Sequence, residues 1–585
     1  MNEVVGTEEE SITQSESSPR PALTLSRVIA GYRAEALVMA IALLVWMPRL
    51  TGPIDLRWDG GVYYVLGTSL STGHGYRILS EPGSPEALQY PPLLAAIVAL
   101  HQLVLGSTDP AVVGFYLRIS YALLFALYAL AVLALAKRYL KPIWALAAAA
   151  LCLLHFQTIF LSDLLFAEMP FALVSVIFAL VAAGGPVRRP FLRETGSFAL
   201  GAVGFLLRTA GATLLAAWVL EALARRRWPL AIARGAVAIV PIVGWQAYVG
   251  HVRTSDEYAR PTYEYQRASY QYYNVSYAEN MLLVDPFRPE LGRLNSKAYV
   301  TRLATNLPSV LGSLGEAIST RESEWQRVVE NPQRHLLRKV VIPGAAAVVP
   351  IFALAALVLG GLILLLRRGA WLTAFIILGS VVLIWATPWP EQFIRYLMPL
   401  APFLSICAFM VLSAIADVLR NRGGWAGTMA RVAFAGVIAL IFAVELYTSL
   451  RLFRLRALDA SVVLPATQGN YRLFAHDKTW QDWEAATAWI ASHARSEAII
   501  ATSSPHFLYL RTGHLAVLPP MEADPVRALH QLEAVPVSYV IVDEVGFVDI
   551  SRRYARPAVE RNPFGWRNVY SVDATSVYEH NPVTP

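Results

Sequence analysis

Asp59 stands between a tryptophan and two glycines in the stretch from Trp58 to Pro92, WDGGVYYVLGTSLSTGHGYRILSEPGSPEALQYPP. Around it the same stretch gathers Tyr63, Tyr64, Tyr76 and Tyr90, the residue types that settle at a membrane surface. A carboxylate there is costly unless it is used. One that takes a proton from an incoming hydroxyl contributes on the order of 10²–10⁴-fold to a transfer reaction, which makes Asp59 a candidate general base. The other residues able to do chemistry are scattered: Asp55 and Arg57 just before it, Asp163 and Glu168 in FLSDLLFAEMPF, Arg208 in GFLLRTAG, and Glu391 and Arg395 in PWPEQFIRYLMP. Each flanks an apolar segment. Arg208 and Arg395 suit a phosphate, because a guanidinium donates two parallel hydrogen bonds. Asp55, Asp163, Tyr63 and Tyr90 are expected to bind substrate beside them.

Plainer readings stand next to these. Asp59 could cap a helix starting at Gly60 or Gly61, and Asp163 the helix leading into MPFAL. Glu168 could pair with a basic neighbour, and Arg395 could be an interfacial arginine reaching for water. Arg208 has no acid near it in sequence. His74, His101 and His251 have no metal-type spacing and read as structural.

The elements that must bring these residues together are apolar. The 585 residues are 56% hydrophobic, with a mean hydropathy of +0.45, above ordinary soluble domains, and the apolar residues come in long blocks. This is the pattern of an α-helical polytopic membrane protein. The net charge of +7 is confined to short clusters between blocks, among them Lys137–Lys141, Arg188–Arg193, Arg225–Arg227 and Arg367–Arg368. That distribution marks cytoplasmic loops and argues against a nucleic-acid partner. Cys152 and Cys407 fall inside apolar blocks, so no disulfide framework or zinc cluster is expected.

Residues 1–25 read as a disordered cytoplasmic tail without a signal peptide. Spans are expected at about 35–50, 111–136, 142–161, 169–183, 197–208, 210–224, 228–250, 341–366, 370–387, 396–418 and 429–450, about 11 in all. Leu93–Gly106 is too short for the roughly 20 residues a span needs, and reads as an interfacial or re-entrant helix. With that choice each basic cluster lies inside, and the charges above converge outside. Residues 26–450 then form one transmembrane unit, with outer loops at about 51–110 and 251–340.

The second loop carries seven tyrosines between Tyr258 and Tyr277, either an aromatic belt or a platform for a sugar or lipid chain, and a glycosylation-type sequon at Asn274. Residues 451–585 change texture. A helical period at Trp480, Trp483, Ala486 and Ile490 is followed by short apolar runs at 498–501, 515–518 and 537–542, the pattern of an extracytoplasmic α/β domain with a structural or acceptor-binding role.

The order WDxxxYY, LGTSLSTGHGY and YPPL, then AEMPF, LLRTAG and RYLMPLAPFL, resembles the C-type (GT-C) glycosyltransferases that use lipid-phosphate sugars. Within them it is similar to the bacterial branch related to protein O-mannosyltransferases and lipid A aminoarabinose transferases. The resemblance implies transfer of a sugar from a polyprenyl-phosphate donor to an envelope glycan, lipid or protein acceptor, on the outer face and with inversion. It makes Asp59 the base, matches Glu168 to the acid of the second outer loop, and sets Arg208 and Arg395 near the donor phosphate. Some relatives use a divalent metal; Gly60-Gly61, where many carry a second acid, argues against one here. The rival classes are a transporter or flippase, whose charges would lie near the midplane in repeated halves, and a non-catalytic envelope scaffold.

Overall fold

The computed structural model describes residues 32–184, 190–335, 347–458, 473–545 and 549–581; the expected N-terminal tail lies outside them. The apolar blocks fold as helices because an unbroken apolar run can satisfy its backbone only within itself. They are α1 (Arg33–Trp46), α2 (Asp59–Ser71), α3 (Leu93–Leu105), α4 (Pro110–Ala136), α5 (Pro142–Leu154), α6 (Phe156–Ser162), α7 (Glu168–Ala182), α8 (Pro190–Leu207), α9 (Ala212–Ala224) and α10 (Trp228–Arg253). After the tyrosine-rich loop come α11 (Ser296–Glu316), α12 (Glu322–His335), α13 (Val348–Arg367), α14 (Trp371–Trp385), α15 (Phe393–Leu397), α16 (Ala401–Arg420) and α17 (Gly424–Leu458).

Helices occupy all eleven expected segments. By length and composition, five among the described residues are able to cross a membrane, or six if α5 and α6, bent by 53° at His155, make one span. The short α3 is held against α2 by its one amide: Gln102 Nε2 donates to Thr68 Oγ1 at 2.9 Å and Gln102 Oε1 accepts from Ser71 Oγ at 2.6 Å.

The C-terminal region is the expected α/β domain. It runs α18 (Lys478–His493), β1 (Ile499–Ala501), α19 (Pro505–Thr512), β2 (Ala516–Val517), α20 (Pro525–Ala534), β3 (Val537–Val542), β4 (Trp566–Val572) and β5 (Thr575–His580). The sheet order is β2-β1-β3-β5-β4, with β1 parallel to both neighbours and β5 antiparallel to β3 and β4. The three apolar runs seen in the sequence are β1, β2 and β3.

The loop before α3 and the tyrosine-rich loop bind this domain to the helices. Ala516 N–H donates to the Ser80 carbonyl at 2.8 Å, so the first loop lies along β2. Glu81, buried in the same loop, accepts from Tyr263 Oη at 2.9 Å and from Asn274 Nδ2 at 2.7 Å. Tyr263 and Tyr265 pack into the sheet's core with Val517, Val537 and Val540, so these two rings are a wedge between domains and not a membrane belt. Asn274 is fully buried and its amide is engaged, so its sequon is closed to modification in the folded chain.

Under the first loop lies a buried ionic frame. Arg118 Nη1 reaches Asp163 Oδ1 at 3.1 Å and its other nitrogens donate to the Pro53 carbonyl. Arg49 stacks on Trp46 at 3.8 Å and donates to the Ile159 carbonyl at 2.8 Å. Asp55 N–H donates to the Asp163 carbonyl at 3.2 Å and Leu165 N–H to the Asp55 carbonyl at 3.0 Å, joining the two loops by backbone. The charged side chains, Arg49, Asp55, Arg118 and Asp163, are at most 2% exposed. Removing one partner of a buried pair leaves a bare charge and costs about 3–5 kcal/mol. Asp163→Ala should therefore lower the thermal midpoint of the detergent-solubilised protein clearly, whereas a shift within about 1 °C would mean that the frame carries no weight.

Candidate active site

Asp59 is the first residue of α2, and the residue before it is strained: Trp58 has φ 55° and ψ −129°. Such a backbone persists only where its surroundings impose it. Arg57 imposes it. Its guanidinium is bidentate on Asp55, with Nη2 to Oδ2 at 2.7 Å, and it donates to the Phe474 and Ala475 carbonyls at 2.5 and 3.0 Å. It also lies between the rings of Trp58 and Trp480, at 4.7 and 4.9 Å. The C-terminal region thus fixes the turn that aims Asp59. Trp58 is the N-cap position and makes no side-chain cap, and Asp59 sits within the first turn, where unpaired N–H groups favour an anion.

Glu168 opens α7 in the same way and is 1% exposed. Arg208, at the break between α8 and α9, pairs with Glu168 at 2.7 Å. Arg395, on α15, bonds Glu168 through Nε at 2.5 Å and Asp59 through Nη2. Arg395 lies over Phe166 at 4.3 Å and Arg208 over Tyr396 at 5.4 Å. Four residues far apart in sequence therefore form one row of alternating charge, Arg208–Glu168–Arg395–Asp59. Arg395 is not an interfacial arginine reaching for solvent, and neither acid caps a helix.

The row lines a cavity of about 650 Å³. The helices supply apolar residues to its lining, among them Phe171, Leu207, Leu383, Ile384 and Leu400, and the C-terminal domain supplies a wall with the polar residues Asp477, Thr479, Ser503 and His506 beside Trp480 and Phe507. Tyr63 and Tyr90, 4.8 Å apart, line it as expected, together with Glu391. Asp55 and Asp163 do not: both lie behind the wall, consumed by Arg57 and by Arg118. Their expected place at the substrate is thereby corrected to one of support, since a carboxylate paired with a fully buried guanidinium has no face left for a ligand. Tyr272, Tyr273 and Tyr277 reach the cavity from the tyrosine-rich loop.

The residues do not fit a metal between the two acids, because the Arg395 guanidinium holds that position. Among the described residues no group of three His, Cys, Asp or Glu is gathered as a metal site. A second acid after Asp59 would be crowded: a Cβ at Gly60 would stand 3.1 Å from the Asp55 carbonyl, and one at Gly61 3.1 Å from the Leu56 carbonyl and 3.3 Å from His506 Cβ. Gly61 lets α19 approach α2.

Behind the lining residue Ser503, Asp543 accepts from its hydroxyl at 2.9 Å, and burial pushes the Asp543 pKa up to about 6. His506 is 2% exposed, shares a 2.6 Å hydrogen bond with Ser80 Oγ through Nδ1, and is driven down to a pKa of about 3 by burial.

No protein-family model and no curated protein matches the sequence. Solved structures do. The Archaeoglobus fulgidus oligosaccharyltransferase, tethered with an acceptor peptide containing the NVT sequon, has a TM-score of 0.53 at 13% identity, over 95% of this chain and 75% of that one. The same enzyme in complex with Zn and sulfate gives 0.52 at 13% identity, over 94% and 74%. ArnT from Cupriavidus metallidurans bound to undecaprenyl phosphate gives 0.50 at 15% identity, over 94% and 99%. At these identities the likeness shows the fold, and it is the GT-C fold that the sequence resemblance implied.

His506 sets a pH dependence. Its neutral form is the folded one, so stability is complete above the unfolded pKa of about 6.5 and is lost as pH falls from there toward 3. His506→Gln removes that linkage. Its stability relative to wild type should rise by up to about 3 kcal/mol between pH 7 and pH 4 in denaturant titrations; a constant difference would contradict a buried neutral imidazole.

Proposed function

We propose that the chain is an integral-membrane glycosyltransferase, moving a hexose or pentose from a polyprenyl-phosphate donor to a hydroxyl acceptor with inversion at the anomeric carbon. The observation that carries this is the charge row in a cavity lined both by apolar residues of the helices and by polar residues of the C-terminal domain. The apolar lining suits a lipid chain, Arg208 and Arg395 suit its phosphate, and Asp59 pairs with Arg395 in the same cavity. The likeness to ArnT bound to undecaprenyl phosphate supports a donor of that class.

In the proposed reaction the acceptor hydroxyl passes its proton to Asp59, and its oxygen forms a bond to the anomeric carbon. The bond from that carbon to the phosphate oxygen breaks, and polyprenyl phosphate departs with both bonding electrons toward Arg208 and Arg395. Phosphate is a good leaving group, so orientation and charge compensation are the main tasks. Glu168 holds both guanidiniums in register. An arriving phosphate competes with Asp59 for Arg395, so donor binding releases the base as it is needed.

Residues 26–450 would form the catalytic unit and 451–585 its cover, with the site on the outer face of a bacterial plasma membrane. The acceptor belongs to the envelope, as glycan, lipid or protein. A flippase built on the same charges would move the lipid without cleaving it, which the product distinguishes.

Asp59→Asn should abolish transfer, by at least about 10²-fold, while leaving expression and undecaprenyl-phosphate binding intact; retained turnover would remove Asp59 as the base. Chelation by EDTA should leave the rate unchanged, because Arg395 already neutralises the carboxylates. A rate that collapses on chelation and returns with a divalent ion would show that Arg395 yields its place to a metal.

A further inference from the structure

The wall that the C-terminal domain gives the cavity has a chemistry of its own. Among the described residues it holds hydroxyls and carboxylates, Thr479, Ser503, Asp477 and Glu544, and no lysine or arginine. The guanidiniums of the cavity all come from the helical part: Arg208, Arg395, and Arg321 beside Phe156 of α6. A phosphate or carboxylate ligand against that wall would meet Asp477, which caps α18, and Glu544, whose charge is already matched by Arg552, with no unpaired cation among the described lining residues of this domain. A neutral polyol would face partners that both donate and accept.

One group there lacks a partner. His506 is 2% exposed, lines the cavity, and uses Nδ1 on Ser80, yet Nε2 has no hydrogen-bond partner. A buried ring nitrogen left unmatched is destabilising, and structures rarely keep such an atom without a use for it. Whichever tautomer Ser80 selects, a hydroxyl can complete Nε2, because it serves as donor or as acceptor. A phosphate dianion can only accept. The ring is also placed with care: Tyr273 meets it edge-on at 4.7 Å, and Gly61 of α2 admits its Cβ against the turn that carries Asp59. The nitrogen therefore belongs to a side chain packed directly on the helix that carries the proposed base.

Resting on the reading above, we propose that the acceptor subsite lies between Trp58, Tyr273 and His506, that it takes a neutral saccharide, and that His506 Nε2 holds an acceptor hydroxyl. His506 is then a positioning residue that the C-terminal domain contributes to the reaction, and the domain's role is to select uncharged glycan over phosphorylated acceptor. Aromatic rings beside hydroxyl and carboxylate groups offer a sugar both its apolar face and its polar rim.

The test uses the full chain in nanodiscs on an array of neutral di- and trisaccharides of glucose, mannose, galactose and arabinose, beside the same sugars carrying phosphate. At least one neutral member should bind, and its phosphorylated form about tenfold more weakly or worse. Two variants separate roles. His506→Asn keeps a group for Ser80 and loses the distal nitrogen; His506→Gln keeps an amide near Nε2 and loses the one near Ser80. Asn should weaken saccharide binding about tenfold, the size of one lost hydrogen bond, and Gln should stay close to wild type. Undecaprenyl phosphate should bind wild type and both variants alike. Binding of phosphorylated sugars alone, of no saccharide, or equal effects of Asn and Gln would overturn the proposal. Failure of undecaprenyl phosphate to bind wild type would overturn the donor reading itself, and this one with it.

Discussion

The row Arg208–Glu168–Arg395–Asp59 is the interaction on which the rest of the architecture depends. Each of its charges would be costly beside an apolar wall, and each is made tolerable by the next. The row spans α2, α7, the α8–α9 break and α15, so the helices that carry it must meet within a few ångströms. What appears as a catalytic arrangement is also what closes the helical part around its cavity. In the proposed reaction a donor phosphate would enter that arrangement as a competitor for existing partners, and its binding would release the base.

Behind the row, the buried frame of Arg49, Arg57 and Arg118 supports it from below. Arg57 does so across domains, because its guanidinium ties Asp55 to the Phe474 and Ala475 carbonyls and packs between Trp58 and Trp480. The strained Trp58 backbone is the result, and the aim of Asp59 follows from it. The C-terminal domain is therefore part of the site in two senses: it holds the turn in place, and it supplies polar residues to the cavity lining.

Much of this was legible in the sequence. Asp59, Glu168, Arg208 and Arg395 stood out because ionisable residues at the ends of apolar blocks need a reason, and the three short apolar runs after residue 495 became three strands of one sheet. Asp55 and Asp163 carried the same signal and serve elsewhere. Nothing in a linear sequence distinguishes an acid that faces a cavity from one claimed by an arginine 45 positions away, as Arg118 claims Asp163. Arg49 and Arg118 gave a weaker signal, a cation inside or beside an apolar run. His506 gave none, since its meaning depends on Ser80, Gly61 and Tyr273 arriving from three other segments. Span number was also hard to read, because helices of 13–15 residues are apolar enough for a membrane interior and too short to define a crossing by themselves.

The central claim is direct displacement of polyprenyl phosphate by an acceptor hydroxyl. Its most direct test is to supply the purified protein with labelled polyprenyl-phosphate sugars and envelope extract, then determine which lipid is consumed and the anomeric configuration of the product by NMR. The account predicts that one donor is converted to free polyprenyl phosphate, with the sugar on the acceptor in inverted configuration. Retained configuration, or lipid moved across the bilayer with its sugar still attached, would contradict it.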